Sequence, residues 1–219
     1  ENDALRKQYW EGKKEEFESN CEDGVAGACF SLGEFYELLE KDVGKATTLY
    51  RKACDEMEHG NACFKMGQMF QGRRLGDEDE ERKRQSFKYF ERACKAGNSQ
   101  GCANVGMALL SGFGCAKDPA KARQHLEAAC GDNDALGCFN LGRLSLEGKH
   151  EGIAKEPKAA VKPMLKACNL GHPNACHTLA VMYHKGDGVP QSDQESERFR
   201  KLTMDIIKQA GKMMGATVV

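Results

Sequence analysis

Ten of the eleven cysteines in this chain form five pairs that recur along its length. Successive pairs begin 33, 40, 36 and 38 residues apart, and the pairs are Cys21/Cys29, Cys54/Cys63, Cys94/Cys102, Cys130/Cys138 and Cys168/Cys176. Thiols at such a spacing can form disulfides, ligate zinc or pack as small buried side chains. The eleventh cysteine, Cys115, is left over, and we expect it to be a free thiol outside the pairs.

The spacing within each pair favours disulfides. On one continuous helix the two Cα atoms would lie roughly 12 Å apart, whereas a disulfide needs about 4.4–6.8 Å. A bridge therefore requires the chain to turn back between the cysteines, and the intervening glycines and Asn or Asp residues allow that turn. Zinc sites usually combine close ligand pairs with matching histidines, and the six histidines follow no repeat position. Zinc ligation and buried thiols stay open as alternatives.

The residues around the pairs predict a repeat of two helices. Three residues after each second cysteine stands an apolar residue, and four residues after it stands glycine or alanine, which together mark one face of an α-helix. The recurring glycine predicts a close crossing by a neighbouring helix. Four residues before each first cysteine stands a large apolar residue: Phe17, Tyr50, Phe90, Leu126 or Met164. Each repeat thus contains helix A, a loop and helix B, with the first cysteine near the end of B and the second at the start of the next A.

The predicted fold class is all-α, a right-handed α-α superhelix, or solenoid, of disulfide-stapled helix pairs. We expect roughly eleven helices in a single solenoid over residues 1–210, followed by a tail at 211–219. The last helix is predicted to run from about Asp193 to Lys208. The expected units are an N-terminal half-repeat at 1–22 and repeats at about 27–56, 61–96, 100–131, 136–170 and 174–209. A long connection, Gln71 to Gln85, carries the acidic run Asp77–Glu81, which we interpret as a solvated loop or first helical turn.

Composition excludes several classes of function. The chain has 32 basic and 33 acidic residues and a net charge of -1, which offers no electrostatic basis for binding nucleic acid. No run of 18 apolar residues occurs, so no membrane span is predicted. Five disulfides would require an oxidising compartment, namely the extracellular space, the periplasm or the mitochondrial intermembrane space.

No motif of a hydrolase, nucleotide-binding protein or zinc protease occurs, and we expect the protein not to be an enzyme. Cys176 and His177 are adjacent, but an oxidised cysteine is no nucleophile. Binding of another protein is the better class, through the surface of the A helices. The candidate partner surface comprises Glu34, Glu37, Gln68, Arg143 and Glu147.

The segment from Lys166 to Cys176, followed by the stretch from Met182 to Val189, resembles the Sel1-like repeat, a relative of the tetratricopeptide repeat. The variable repeat lengths, the longer second cysteine pair and the charged insertion resemble a mitochondrial subfamily of cytochrome c oxidase assembly factors. That resemblance implies a protein of the mitochondrial intermembrane space that is oxidised by an import oxidoreductase. It also implies partners among the subunits or assembly factors of respiratory complex IV. We expect a monomer.

Three alternatives remain. The first is a secreted or periplasmic bacterial cysteine-rich Sel1-like protein with weak β-lactam hydrolase activity. The second is a haem-handling factor, whose ligands would come from Cys115, the six histidines, Met213 or Met214; no other cofactor and no metal site are expected. The third is a peptide-binding adaptor in a reducing compartment.

Overall fold

The computed structural model describes residues 2–72, 79–149 and 152–215. Over those ranges the chain is helical apart from its connections and has no strand, which confirms the all-α class. A π-helical segment, Tyr36–Glu40, directly continues the second helix. The described α-helices are α1 (Asn2–Glu22), α2 (Ala26–Phe35), α3 (Val43–Asp55), α4 (Gly60–Gln71), α5 (Asp79–Lys95), α6 (Ser99–Ser111), α7 (Pro119–Gly131), α8 (Ala135–Glu147), α9 (Pro157–Asn169), α10 (Pro173–Lys185) and α11 (Asp193–Gly215). None of these helices is long and apolar enough to cross a membrane.

The helices form two compact units, Glu1–Gly101 and Cys102–Val219. Each unit buries its own apolar side chains, as expected when a helix has one apolar face. In the first unit, one buried cluster surrounds the cysteines of the first two pairs, and another contains Tyr36, Tyr50 and Met66. In the second unit, a buried cluster extends from Cys130 to Phe199.

The repeated glycines lie where two helices of one repeat cross closely. A Cβ atom added at Gly67 would lie 2.6 Å from the ring of Phe90, and one added at Gly142 would lie 2.8 Å from Cγ of Met164. Such separations are too short for a side chain, so helix A can approach helix B only because it lacks one there. The predicted close crossing is therefore confirmed. The same contact within a repeat recurs as Gly33 with Tyr50, Gly67 with Phe90, Gly106 with Leu126 and Gly142 with Met164.

The turn between paired cysteines relies on left-handed backbone. Gly24, Gly97 and Gly171 each follow a first cysteine by three residues and have φ angles of 84°, 81° and 85°. Glycine adopts this conformation at little cost and commonly ends a helix there. In the fourth pair Asn133 takes that place with φ of 63°, which suits asparagine's tolerance for the left-handed region. The chain thereby reverses within a few residues.

The side chain of Arg82, on α5, contacts the end of α4. The segment 73–78 lies outside the described residues, and Asp79–Glu81 form the first turn of α5, as one of the two interpretations of the acidic run predicts. The Arg82 side chain is 5% exposed and donates hydrogen bonds to the carbonyl oxygens of Phe70 (2.7 Å) and Gln71 (3.1 Å). It also pairs with Asp79 at 2.9 Å. Arg82 therefore satisfies the last carbonyls of α4, which have no partner within their own helix.

The last helix is longer than predicted. It continues from Asp193 to Gly215, past the expected end at Lys208 and into the segment 211–219 that was expected to be a tail. Gln, Ala, Lys and Met are good helix formers, and within the extension only Gly211 and the last residue, Gly215, oppose it, so the helix has little local reason to stop at Lys208. Residues 216–219 lie outside the described part of the chain.

Candidate functional site

The paired cysteines form disulfides. In the four pairs with described geometry the Cα atoms lie between 4.4 and 4.8 Å apart: Cys21–Cys29, Cys54–Cys63, Cys130–Cys138 and Cys168–Cys176. Cys94 and Cys102 are disulfide-bonded as well. Cys115 is not disulfide-bonded and is half-buried in the connection between α6 and α7. Each described bridge joins the end of a B helix to the start of the following A helix, as the spacing predicts.

At three of these bridges, a basic side chain donates a hydrogen bond to the backbone carbonyl oxygen of the first cysteine. Lys52 donates to the carbonyl oxygen of Cys21 at 3.2 Å, and Arg92 donates to that of Cys54 at 2.7 Å. Lys166 donates to that of Cys130. Each donor precedes the first cysteine of its own repeat by two residues and contacts the preceding repeat. Because these carbonyls lie at helix C-termini, a cation there is favourable. Sequence reasoning missed this contact, although the recurring basic residue at that offset was visible.

Three of the five predicted partner-surface residues line adjacent hollows in the first unit. Glu34 lies at an open hollow of roughly 430 Å³, which is lined otherwise by Trp10, Phe17, Ser31, Phe35, Leu38 and Leu39. Leu38 also lines a second hollow, together with Glu37, Lys41 and Val43. Glu37 in turn shares a third hollow with Lys65, Gln68, Met69 and Gly72. The structure therefore places Glu34, Glu37 and Gln68 at three hollows, each of which shares a lining residue with the next.

Glu37 differs from the exposed residue that sequence reasoning expected. Its side chain is only 13% exposed, and it lies in the π-helical segment. Tyr50 donates a hydrogen bond to its Oε2 at 2.9 Å, and Lys65 donates to the same oxygen at 3.1 Å. Burial, together with the Glu37 carboxylate, raises the pKa of Tyr50 far above its ordinary value, so the phenol stays protonated and keeps donating. Glu37 therefore links the π-helical segment to α3 and α4 through its carboxylate, beside the two hollows that it lines.

The other two predicted residues lie in the second unit. Arg143 and Glu147 are both on α8, with Nε of Arg143 3.8 Å from Oε1 of Glu147. Their side chains are 45% and 37% exposed, respectively. An exposed pair at this helical spacing contributes about 0.3–0.5 kcal/mol to stability at most. Both residues are accessible to a partner, but no described hollow includes them.

The helix pairs, the glycine crossings and the bridges recur as a unit, and a family model matches that unit. The model of the Sel1 repeat matches residues 26–56, 60–98, 99–134, 135–172 and 173–199. The chain belongs to the Sel1 repeat family. Among solved structures, a Sel1 repeat protein from Oxalobacter formigenes is similar with a TM-score of 0.74 and 25% identity, covering 88% of this chain and 79% of that chain. This similarity confirms the predicted solenoid class.

Two curated relatives are similar over nearly the whole length. Cytochrome c oxidase assembly factor 7 of Xenopus tropicalis is 30% identical, with 94% of this chain and 90% of that protein covered. The homologue of this factor in Drosophila melanogaster is 29% identical, with 91% of this chain and 88% of that protein covered.

Histidines begin two of the A helices in these Sel1 repeats. Nδ1 of His59 accepts a hydrogen bond from the backbone N–H of Ala62 at 3.3 Å, and its ring lies 5.1 Å from that of Phe30. His172 occupies the equivalent place at α10, stacked 4.4 Å from Phe139, with its Nδ1 buried and without a hydrogen-bond partner in the described part of the chain. In other Sel1 repeats Asn98 and Asp134 cap the same helix position. Sequence reasoning placed these histidines only as packing or surface residues.

His59→Asn is expected to make the first unit less sensitive to acid. Burial lowers the pKa of His59 below its ordinary 6.5, so the unfolded chain takes up the proton at a higher pH than the folded chain does. Stability present above about pH 6.5 is therefore lost as the pH falls towards the folded-state pKa. Protonation also removes the capping acceptor and puts a cation at a helix N-terminus. The free energy of unfolding is measured with urea at about pH 7.5 and at about pH 5.5. Between these two pH values it should fall less in the variant than in the wild type.

The reciprocal substitution Asn98→His is the matched test of this capping role. It should add a step of acid sensitivity in the same pH range, since it places an imidazole where an amide caps α6. Equal losses of stability in wild type and His59→Asn would contradict the role assigned to His59.

The candidate haem ligands are dispersed among the described residues. His59 caps α4 in the first unit. In the second unit Cys115 is half-buried, and His184 pairs through Nδ1 with Asp193 at 3.1 Å. His150 and the side chains of Met213 and Met214 lie outside the described residues. None of the three hollows described above is lined by two of these candidate ligands.

Proposed function

We propose that this protein is a binding scaffold for the assembly of cytochrome c oxidase, respiratory complex IV, and that it acts without catalysis. The observation that carries the proposal is the 30% identity to cytochrome c oxidase assembly factor 7 over 94% of the chain. The match covers 94% of this chain and 90% of that relative, so it includes nearly all of the helices described above. Its partners are subunits or assembly factors of complex IV.

The disulfides support a location in the mitochondrial intermembrane space. Five bridged pairs in a chain of 219 residues persist only where the environment does not reduce them. Within mitochondria the intermembrane space is the compartment that fits, and oxidation there by an import oxidoreductase would complete folding. The compartment and the name of the relatives therefore support the same proposal.

The surface of the first unit supports binding as the mode of action. Trp10 is 42% exposed, Leu38 is 64% exposed and Leu39 is 49% exposed, and all three line one hollow. Contiguous exposed apolar side chains with polar residues at the rim are typical of protein interaction sites. Repeat proteins use such surfaces because their neighbouring repeats hold one another rigid.

The proposal is tested in cells that lack the protein. We expect the amount of complex IV to be lowered in these cells and to be restored when the wild-type protein is expressed. We also expect the tagged wild-type chain, captured from purified mitochondria, to recover complex IV subunits. An Arg143→Ala, Glu147→Ala variant tests the exposed α8 pair, and Leu38→Ser tests the hollow. Complex IV at its normal level in such cells would contradict the proposal. Compartment is tested separately by alkylating intact mitochondria without reductant, where only Cys115 should react.

A further inference from the structure

We propose that the apolar hollow between α1, α2 and the π-helical segment binds an amphipathic helix of a partner protein whose apolar stripe is flanked by basic residues. The inference rests on the proposed scaffold function and names the chemistry of the segment that the scaffold recognises. The hollow is defined by Trp10, Phe17, Ser31, Glu34, Phe35, Leu38 and Leu39.

The lining of the hollow is apolar and open to solvent. Five of its seven residues are aromatic or leucine, and the volume is roughly 430 Å³. The π-helical segment directs both Leu38 and Leu39 to the surface, where they are 64% and 49% exposed. Trp10 lies against Phe35, with ring centroids 6.4 Å apart, and remains 42% exposed. Covering such side chains removes apolar area from water, which is the main driving force for association.

The charge around the hollow selects a basic partner. Residues 8–22 contain five carboxylates and two lysines, and residues 26–41 contain three carboxylates and one lysine, Lys41, which lines the adjoining hollow. The whole chain, by contrast, has a net charge of only -1. Lys13 and Lys14 are already paired, with Glu16 at 2.7 Å and with Glu40 at 2.7 Å. Among the described residues, Glu34 at the rim takes part in no ion pair. An anionic lipid surface or a nucleic acid would be repelled, whereas Lys or Arg side chains would be attracted.

The secondary structure of the wall favours a helical segment over an extended one. The wall is made of helices, whose backbone N–H and C=O groups are bonded within each helix, so it offers no edge to which an extended peptide could hydrogen-bond. An extended peptide would therefore leave its own backbone groups without partners against apolar side chains. A helix satisfies them internally and presents anchors at positions i, i+3, i+4 and i+7. The adjoining hollow at Lys41 and Val43 shares Leu38 and lengthens the site for such a stripe.

Two synthetic peptides test the proposal with the full chain. Both have about 18 residues and a leucine stripe at helical spacing; one carries Lys and Arg beside the stripe, and the other carries Glu at the same places. Trp10 is the only tryptophan of the chain and lies in the hollow, so its emission reports occupancy. We expect the basic peptide to cause a saturable blue shift of the Trp10 emission, and added salt to weaken its binding. The acidic peptide should bind with an affinity lower by about tenfold or more. Equal affinity for the two peptides, or no saturation with either, would overturn the proposal.

Surface variants locate the contact. Leu38→Ser should weaken binding of the basic peptide by about tenfold, since it removes a large exposed apolar anchor, and Glu34→Lys should weaken it by about fivefold. Met204→Ser is the matched control, because Met204 is 67% exposed on α11 in the other unit, and it should bind like the wild type. Unchanged binding by Leu38→Ser would overturn the site. So would self-association of the chain that is abolished by Leu38→Ser and competes with the peptide, because the occupant would then be a second copy.

The proposal for the hollow and the proposal for the scaffold function can fail independently of each other. If Leu38→Ser restored complex IV and recovered its subunits as the wild type does, the scaffold function would stand and the hollow would lose its role. If the basic peptide bound at the hollow but cells lacking the protein kept normal complex IV, the scaffold function would fail while the binding site remained.

Discussion

Gly67→Leu is expected to lower the free energy of unfolding by about 3 kcal/mol, at the upper end of the cost of overpacking a core. A Cβ atom alone would lie 2.6 Å from two ring carbons of Phe90, and leucine adds three further carbons. The Phe90 ring is 1% exposed and cannot swing into solvent. Leucine is a much better helix former than glycine, by about 0.8 kcal/mol, but that gain is smaller than the cost. Urea unfolding followed by circular dichroism measures the difference.

Gly12→Leu is the matched control for this substitution. Gly12 lies within α1 of the same unit, is exposed, and has no atom within 4 Å of an added Cβ. The same exchange there should leave stability unchanged or raise it by up to about 0.8 kcal/mol, because only helix propensity acts. Opposite signs at the two glycines would show that packing, and not the intrinsic preference of glycine, decides the effect at Gly67.

A double-mutant cycle with Phe90→Ala tests the contact itself. Phe90→Ala alone should cost about 3–5 kcal/mol because it leaves a cavity in a buried cluster. The leucine at position 67 would fill part of that cavity, so the double variant should be more stable than the sum of the two losses predicts by at least about 1 kcal/mol. Additive losses would contradict the assignment of Phe90 as the side chain that the glycine accommodates.

The repeat positions explain how much of this fold could be predicted. The glycine or alanine four residues after each second cysteine and the large residue four residues before each first cysteine were both visible in the sequence, and a close crossing followed from the recurring glycine. Their pairing as Gly67 with Phe90 was not visible, because it depends on how helices A and B align in space. The π-helical segment Tyr36–Glu40 was not predicted either, since its residues have the same local preferences as an α-helix.

The candidate surface shows a different limit. Glu34 and Gln68 were chosen from helix phase, and the structure places both at hollows of the first unit. Glu37 was chosen on the same basis but is mostly buried, because Tyr50 and Lys65 converge on its carboxylate. Helix phase predicts the direction of a side chain, whereas burial depends on what neighbouring helices place over it. The apolar hollow around Trp10 was missed altogether, since the residues before Phe17 follow no repeat position.

The double variant Cys130→Ala, Cys138→Ala is expected to lose roughly 2.5 kcal/mol of stability, the chain-entropy cost for a bridge that closes nine residues. The two cysteines are 7% and 0% exposed, and alanine leaves no buried hydroxyl in their place. Cys115→Ala is the control, because it removes a cysteine that is not disulfide-bonded; it should change stability by less than about 1 kcal/mol. Unfolding is measured without reductant, so that the other bridges remain.

The part of the chain that loses stability shows whether a disulfide stabilises only its own repeat junction or the whole protein. In a repeat protein each repeat contacts only its neighbours, so removing one bridge should loosen mainly the helices that it joins. We expect hydrogen exchange to accelerate in α7 and α8, which carry Cys130 and Cys138, and to change little in α2 and α3 of the other unit. Acceleration of equal size throughout the chain would mean that the protein unfolds as one cooperative body, and the bridges would then stabilise the whole chain instead of single repeat junctions.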